Sequence, residues 1–178
     1  LKIGLVGDYQ KINAGAALQA ARILREKHHF QVTPQALQNG LKQTHWPGRF
    51  ELIKGSPDFL LDVAHNPASI EALVKNLKRA FPSRKRLLIF GTSRDKRSDL
   101  MLQTLGAFFP EVILAKAPGL RSQEIGVLLR QARGQVKEIF PAATISEALE
   151  LARKLTEKSD LVVVTGSFYL VGEIRKQL

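Results

Sequence analysis

The chain has 178 residues, 44% of them hydrophobic, enough for a packed core and too many for a disordered chain. Lys and Arg outnumber Asp and Glu by 27 to 16, a formal charge of +11, which favours anionic partners (nucleotides, polyacids, nucleic acid or membrane surfaces) without choosing among them. With no cysteine, disulfides, thiolate metal sites and thiol nucleophiles are excluded. No apolar run approaches the ~20 residues of a membrane span, and no signal peptide is visible, so an intracellular, cytoplasmic chain is expected. It begins at Leu1 and its one methionine is Met101, so further residues are expected before Leu1.

Leu1 to Val6 reads as a strand or an extended linker, broken at Gly7-Asp8. Residues 13 to 27, with Ala16, Ala17, Ala20, Ala21, Ile23 and Leu24, read as a helix. Thr33 as N-cap and Pro34 in the first turn start a short second helix, striped by Ala36, Leu37 and Leu41. Trp46-Pro47-Gly48 ends it and marks a domain boundary.

Beyond the boundary the rhythm changes. Phe50 to Ile53 reads as a strand, and Phe59-Leu60-Leu61 as a strand covered on both faces. Asn66-Pro67 opens a helix with Ile70, Leu73, Val74 and Leu77 on one face. Leu87 to Phe90 is a second buried strand, Gly91 to Lys96 a polar loop, and Ser98 a helix start. Val112 to Leu114 is a strand and residues 122 to 132 a helix. Thr144-x-x-Glu147 is a capping-box signature ahead of Ala148, Leu151, Ala152 and Leu155. Leu161 to Val164 is the last strand, and Gly166-Ser167 leads into a final helix. Alternating strands and helices imply an α/β domain with a doubly wound, mostly parallel sheet, preceded by a short helical segment.

In such sheets ligands bind outside the carboxyl ends of the strands. That rule selects four loops: residues 62–66, 91–96, 116–121 and 165–167. Asp62 can accept from ribose hydroxyls or hold a hydrated cation, or it can cap the next helix. His65 can donate, accept or titrate near neutrality, or be structural. Asn66 is the natural N-cap. The loop from Gly91 to Arg97 can hold phosphate or carboxylate groups, although Arg94 and Arg97 read as solvated. Gly166-Ser167 suits an anion at a helix start, or Ser167 is a plain cap. Arg49 can pair with phosphate. Arg84-Lys85-Arg86, at the opposite edge, reads as surface. No G-x-x-x-x-G-K-[ST] loop and no G-x-G-x-x-G after a strand is present.

Five short motifs now stand in order: Asn13-Ala14 in an Ala-rich helix, Trp46 to Arg49, Leu61-Asp62-x-Ala64-His65-Asn66-Pro67, Phe90-Gly91 with Asp95-Lys96, and Thr165 to Glu173. Together they resemble the carboxy-terminal part of bacterial folylpolyglutamate synthase/dihydrofolate synthase, within the Mur ligase superfamily, over essentially the whole chain. The resemblance implies a Rossmann-like Mur ligase C-terminal domain over residues 46–178. Residues 1–45 would be a helical tail of an amino-terminal ATPase domain plus linker. The implied reaction joins L-glutamate to dihydropteroate or a folate with ATP, through an acyl phosphate. The phosphate loop and the Mg2+ ligands are expected in the amino-terminal ATPase domain, so this chain alone is expected to be inactive. Asn13, Arg49 and Asp62 match ATP-contacting positions, His65 and Ser167 match positions near the phosphates and the incoming glutamate, and Lys96 lies in the same cleft.

Three positions depart from the family pattern: Tyr9 stands where histidine is usual, Val63 where glycine is usual, and Arg97 where an acidic residue is common. A monomer is expected. The alternatives are another acid–amino-acid ligase of the superfamily, or a stand-alone basic nucleic-acid-binding module. The latter rests on the +11 charge, with no aromatic-basic interleaving to support it.

Overall fold

The computed structural model describes residues Leu1 to Leu178. The chain divides into two compact units, Leu1–Arg49 and Phe50–Leu178.

The first unit holds helices α1 (Tyr9–His28) and α2 (Pro34–Gln43). The start of α1 lies four residues ahead of the Ala-rich stretch. Leu1 to Val6 forms no strand, and Gly4 donates its amide to the Leu41 carbonyl at 2.8 Å. Thr33 caps α2 as its chemistry demands, its hydroxyl accepting from the Ala36 amide at 3.1 Å. The apolar stripe of α2 is only half-buried at Leu37 and Leu41, and the helix buries no residue fully.

In the second unit, six strands form one sheet in the order β1-β2-β6-β3-β4-β5. They are β1 (Glu51–Ile53), β2 (Asp58–Leu61), β3 (Arg86–Phe90), β4 (Glu111–Ala115), β5 (Glu138–Ala142) and β6 (Leu161–Thr165). All neighbours run parallel except β1 on β2. The helices are α3 (Pro67–Ala80), α4 (Ser98–Gly106), α5 (Ile125–Ala132), α6 (Ile145–Leu155) and α7 (Phe168–Gln177).

Side chains alternate across a strand, so each buried strand feeds two cores. Leu60, Leu88, Phe90, Val112 and Val163 pack on the face that α3, α4 and α5 cover. Leu61, Leu87, Ile89, Ile113 and Val164 pack on the opposite face, beneath α6 and α7. Each such fully buried side chain contributes roughly 1.5–3 kcal/mol, which outweighs the weak propensities of the polar loops between them.

Two features of this arrangement build a crevice. The strand β6 lies between β2 and β3, and its following helix goes to the face opposite α3 and α4. The register also matches, Leu61 opposite Val164 and Phe90 opposite Thr165, so β2, β6 and β3 stop at one level. The turns after these three strands therefore open side by side, where the winding changes face.

Candidate functional site

The turn after β2 is fixed by its own polar groups. Asp62 is 5% exposed. Its Oδ2 accepts the Phe50 amide at 3.0 Å and its Oδ1 the Ala64 amide at 2.9 Å. Phe50 itself sits at φ 50°, an uncommon conformation for an aromatic residue, and the Asp62 bond holds it there. Asn66 caps α3 in a reciprocal box: its Oδ1 accepts the Ser69 amide at 2.9 Å, and Ser69 Oγ accepts the Asn66 amide at 3.1 Å. Ser69 Oγ also lies 3.1 Å from the His65 amide, which donates to it. The His65 ring is oriented by Nδ1, 2.9 Å from the Val63 carbonyl. A carbonyl only accepts, so in the neutral ring Nδ1 carries the proton and Nε2 keeps its lone pair. The ring also lies against Phe168, with centroids 5.5 Å apart.

The turn after β6 is tied to that one. Gly166, at φ 110°, donates its amide to the Ala64 carbonyl at 2.9 Å, and Thr165 Oγ1 donates to the same oxygen at 3.2 Å. Ser167 is 4% exposed and caps α7, its Oγ accepting the Tyr169 amide at 3.1 Å. Its hydroxyl proton remains available for an anion.

The loops after β3 and β4 are zipped together. Arg94 donates its amide to the Arg121 carbonyl and Gln123 its amide to the Thr92 carbonyl, each at 2.8 Å, and Ser93 bridges Ser122. Arg94 Nε adds a bond to the Ser122 carbonyl at 2.9 Å. Arg94 and Lys116 both pair with Glu124, and Arg97 pairs with Asp99, as solvated loop charges should. Lys96 pairs with Asp95 at 2.9 Å. That bond holds the Asp95 carboxyl below the usual range, with the charge of Arg121 adding to it.

A cavity of about 380 Å³ opens where these turns meet, and His65, Lys96, Gly166 and Ser167 all line it. Thus three of the expected site residues, from three different strand ends, share one space. Asn13 and Arg49 line a different cavity, of about 410 Å³, within the first unit, together with Tyr9, Gln10 and Trp46. Asn13 Nδ2 donates there to Gln10 Oε1 at 2.9 Å. Asp62 lines neither cavity; its oxygens are turned to the backbone. The sequence reading missed Asp95, Arg121 and Tyr169, which line the first cavity. Arg121 and Asp95 stood inside the selected loops, but nothing local separates a pocket charge from a solvated one.

The expectation that Arg84 and Arg86 form a plain surface patch is corrected. Arg84 Nη1 donates to buried Asp58 at 2.7 Å and its Nε to the Ser159 carbonyl, while Arg86 stacks 4.6 Å from the Phe108 ring centroid. Both hold the fold together at the amino ends of the strands, while Lys85 between them is exposed. No three His, Asp or Glu side chains come together as a metal group, and no helix is long and apolar enough to cross a membrane.

Fold and cavity define an α/β domain with a charged crevice at its topological switch point. Residues 48–168 match the family model of the Mur ligase glutamate ligase domain, and the chain belongs to that family. It is 34% identical over 180 residues to folylpolyglutamate synthase of Lacticaseibacillus casei, covering 100% of this chain and 40% of that protein. To the dihydrofolate synthase/folylpolyglutamate synthase of Bacillus subtilis it is 26% identical over 187 residues, covering 100% and 41%. Mycobacterium tuberculosis folylpolyglutamate synthase, solved with ADP and AMPPCP, superposes with a TM-score of 0.86 at 25% identity, over 98% of this chain and 41% of that one. The chain thus spans about 40% of the length of these two curated relatives.

Proposed function

We propose that this chain is the glutamate-side domain of an ATP-dependent ligase that adds L-glutamate to dihydropteroate or a folate, and that it is inactive alone. The observation that carries the reading is the convergence of His65, Lys96 and Ser167 on one cavity. The names of the relatives and the nucleotides bound to the Mycobacterium structure support the reaction class.

The cavity suits an amino acid caught between activation and attack. ATP supplies the phosphoryl group that turns the acid into an acyl phosphate. The amine nitrogen then attacks the acyl carbon, the C–N bond forms, the C–O bond to phosphate breaks, and phosphate leaves with the electron pair. The proton shed by nitrogen needs an acceptor, and His65 Nε2, with its lone pair set free by the Val63 bond, is placed for it. Ser167 Oγ–H and Lys96 Nζ are donors for the carboxylate or phosphate oxygens. Lys96, expected in the same cleft, thus joins His65 and Ser167 on the glutamate side.

For the nucleotide we propose Asn13 and Arg49, whose cavity offers amides, two aromatic rings and a guanidinium, a set that fits a purine nucleotide. Asp62 acts here as a positioning residue, setting the turn that carries His65. The residues of this chain bring no three His, Asp or Glu side chains together, and no step is assigned to Mg2+. Nor do they include a phosphate loop, so the triphosphate cradle would come from elsewhere.

Titration of the isotope-labelled chain with L-glutamate tests the site by NMR. Saturable shifts centred on the His65, Lys96 and Ser167 amides are expected; shifts confined to other surfaces would overturn the assignment.

A further inference from the structure

We infer that Arg121, steadied by Tyr169, reads the side-chain carboxylate of the incoming amino acid and so selects a dicarboxylic amino acid over its amide. The inference rests on the reading of the cavity as an amino-acid site.

Five cations stand on the loops after β3 and β4: Arg94, Lys96, Arg97, Lys116 and Arg121. The first four each have a carboxylate within 4.0 Å. Arg121 has none. Its side-chain bond goes instead from Nη2 to the neutral Tyr169 hydroxyl, at 3.0 Å. A hydroxyl positions a guanidinium without neutralising it, and most of the five N–H donors stay open.

The charge balance of the cavity gives the ligand its sign. Lys96 and Asp95 already cancel each other across 2.9 Å. Arg121 is the excess, so the formal charge on the lining is one positive unit, counting His65 as neutral. A neutral amino acid, with one ammonium and one carboxylate, leaves that unit unmatched. A dicarboxylic amino acid, with net charge of minus one, matches it.

The position of Arg121 gives the ligand its shape. Arg121 and Tyr169 line both the first cavity and a neighbouring one of about 330 Å³. The neighbour is walled by Ala117, Pro118 and Leu120, and its lining carries no charge besides Arg121. A carboxylate on a methylene stem suits this boundary: apolar carbon against the wall, oxygens on the fork. The loop is also held in advance, since the Arg121 carbonyl accepts the Arg94 amide and Ser122 is bridged to Ser93. Little ordering is left for the ligand to drive.

The experiment compares affinities for L-glutamate and L-glutamine, read from the NMR titration of the 178-residue chain. The amide differs from the acid only in charge and donor pattern. Wild type is expected to prefer glutamate by about tenfold or more, the scale of one charge-assisted hydrogen-bonded contact. Arg121→Gln should remove that preference while leaving glutamine affinity nearly unchanged. Arg121→Lys should restore part of it, and Tyr169→Phe should weaken glutamate binding without abolishing it. Arg121 is exposed, so the remaining spectrum serves as the control for folding. An undiminished glutamate preference in Arg121→Gln, or no preference in wild type, overturns the inference while the site reading survives. Absence of any shift at His65, Lys96 and Ser167 in wild type overturns both.

Discussion

Gly166 donates its amide to the Ala64 carbonyl at 2.9 Å, so the turn that carries His65 and the turn that carries Ser167 are one construction. A Cβ on Gly166 would stand 2.6 Å from the Gly91 carbonyl oxygen and 2.7 Å from a Phe90 ring carbon, at a backbone φ of 110°. Gly166→Ala is therefore expected to destabilise the domain by about 2–4 kcal/mol, combining left-handed strain with overpacking. Urea denaturation measures the loss, and a change under about 0.5 kcal/mol, the scale of an ordinary surface substitution, would contradict the tie.

Asp62 gives a second prediction. Asp62→Ala leaves the Phe50 and Ala64 amides without their acceptor in a nearly closed environment. The expected cost is roughly 2–4 kcal/mol, readable by denaturant unfolding of the chain without any nucleotide. A residue kept only to touch ATP would show no such cost in the free chain.

Asp58 gives a pH dependence. Burial by itself would raise its pKa, but the bonds from Arg84, from the Gly55 amide and from Lys54 outweigh burial and hold it at about 2, against an ordinary 3.8. The folded value lies below the unfolded one, so the ionised carboxylate stabilises the fold above about pH 4. That contribution fades as pH falls towards 2. It amounts to about 2 kcal/mol. Asp58→Asn should lower stability by a similar amount at pH 7 and flatten the acid limb of the stability profile; an unchanged limb would contradict the pairing.

The helix α2 buries no residue, whereas every residue of β6 is buried. Hydrogen exchange should therefore be far faster in α2 than at Leu161 to Val164. Equal protection of the two would show that α2 is held by more than its own packing.

Local chemistry made much of this legible in the sequence. Thr33, Asn66, Thr144 and Ser167 all cap the helices that their types and positions announce. At Thr144 the box closes one residue early, with Glu147 accepting from the Ala143 amide. The strand β5 went unread because it lies at the sheet edge, half exposed, with Pro141 inside it. Proline is tolerated there because an edge strand can leave one side without a ladder bond. The strand-end rule found the loops of the cavity, but not which charges within them stay unmatched. Arg94 and Arg121 look alike in sequence; only the position of Glu124 separates them. Likewise the sequence leaves Asp62 open between a ligand and a cap, and only the structure places both its oxygens on backbone amides.

Grafting offers the most direct test of the ligase reading. The chain would replace the matching 40% of the Lacticaseibacillus casei folylpolyglutamate synthase. ATP-dependent incorporation of labelled L-glutamate would then be measured for the graft and for the chain alone. The graft should incorporate glutamate and the chain alone should not, and His65→Ala in the graft should cut the rate by about a hundredfold or more, the scale of a lost proton acceptor. Ligation by the chain alone, or a folded graft whose rate is indifferent to His65, would contradict the reading.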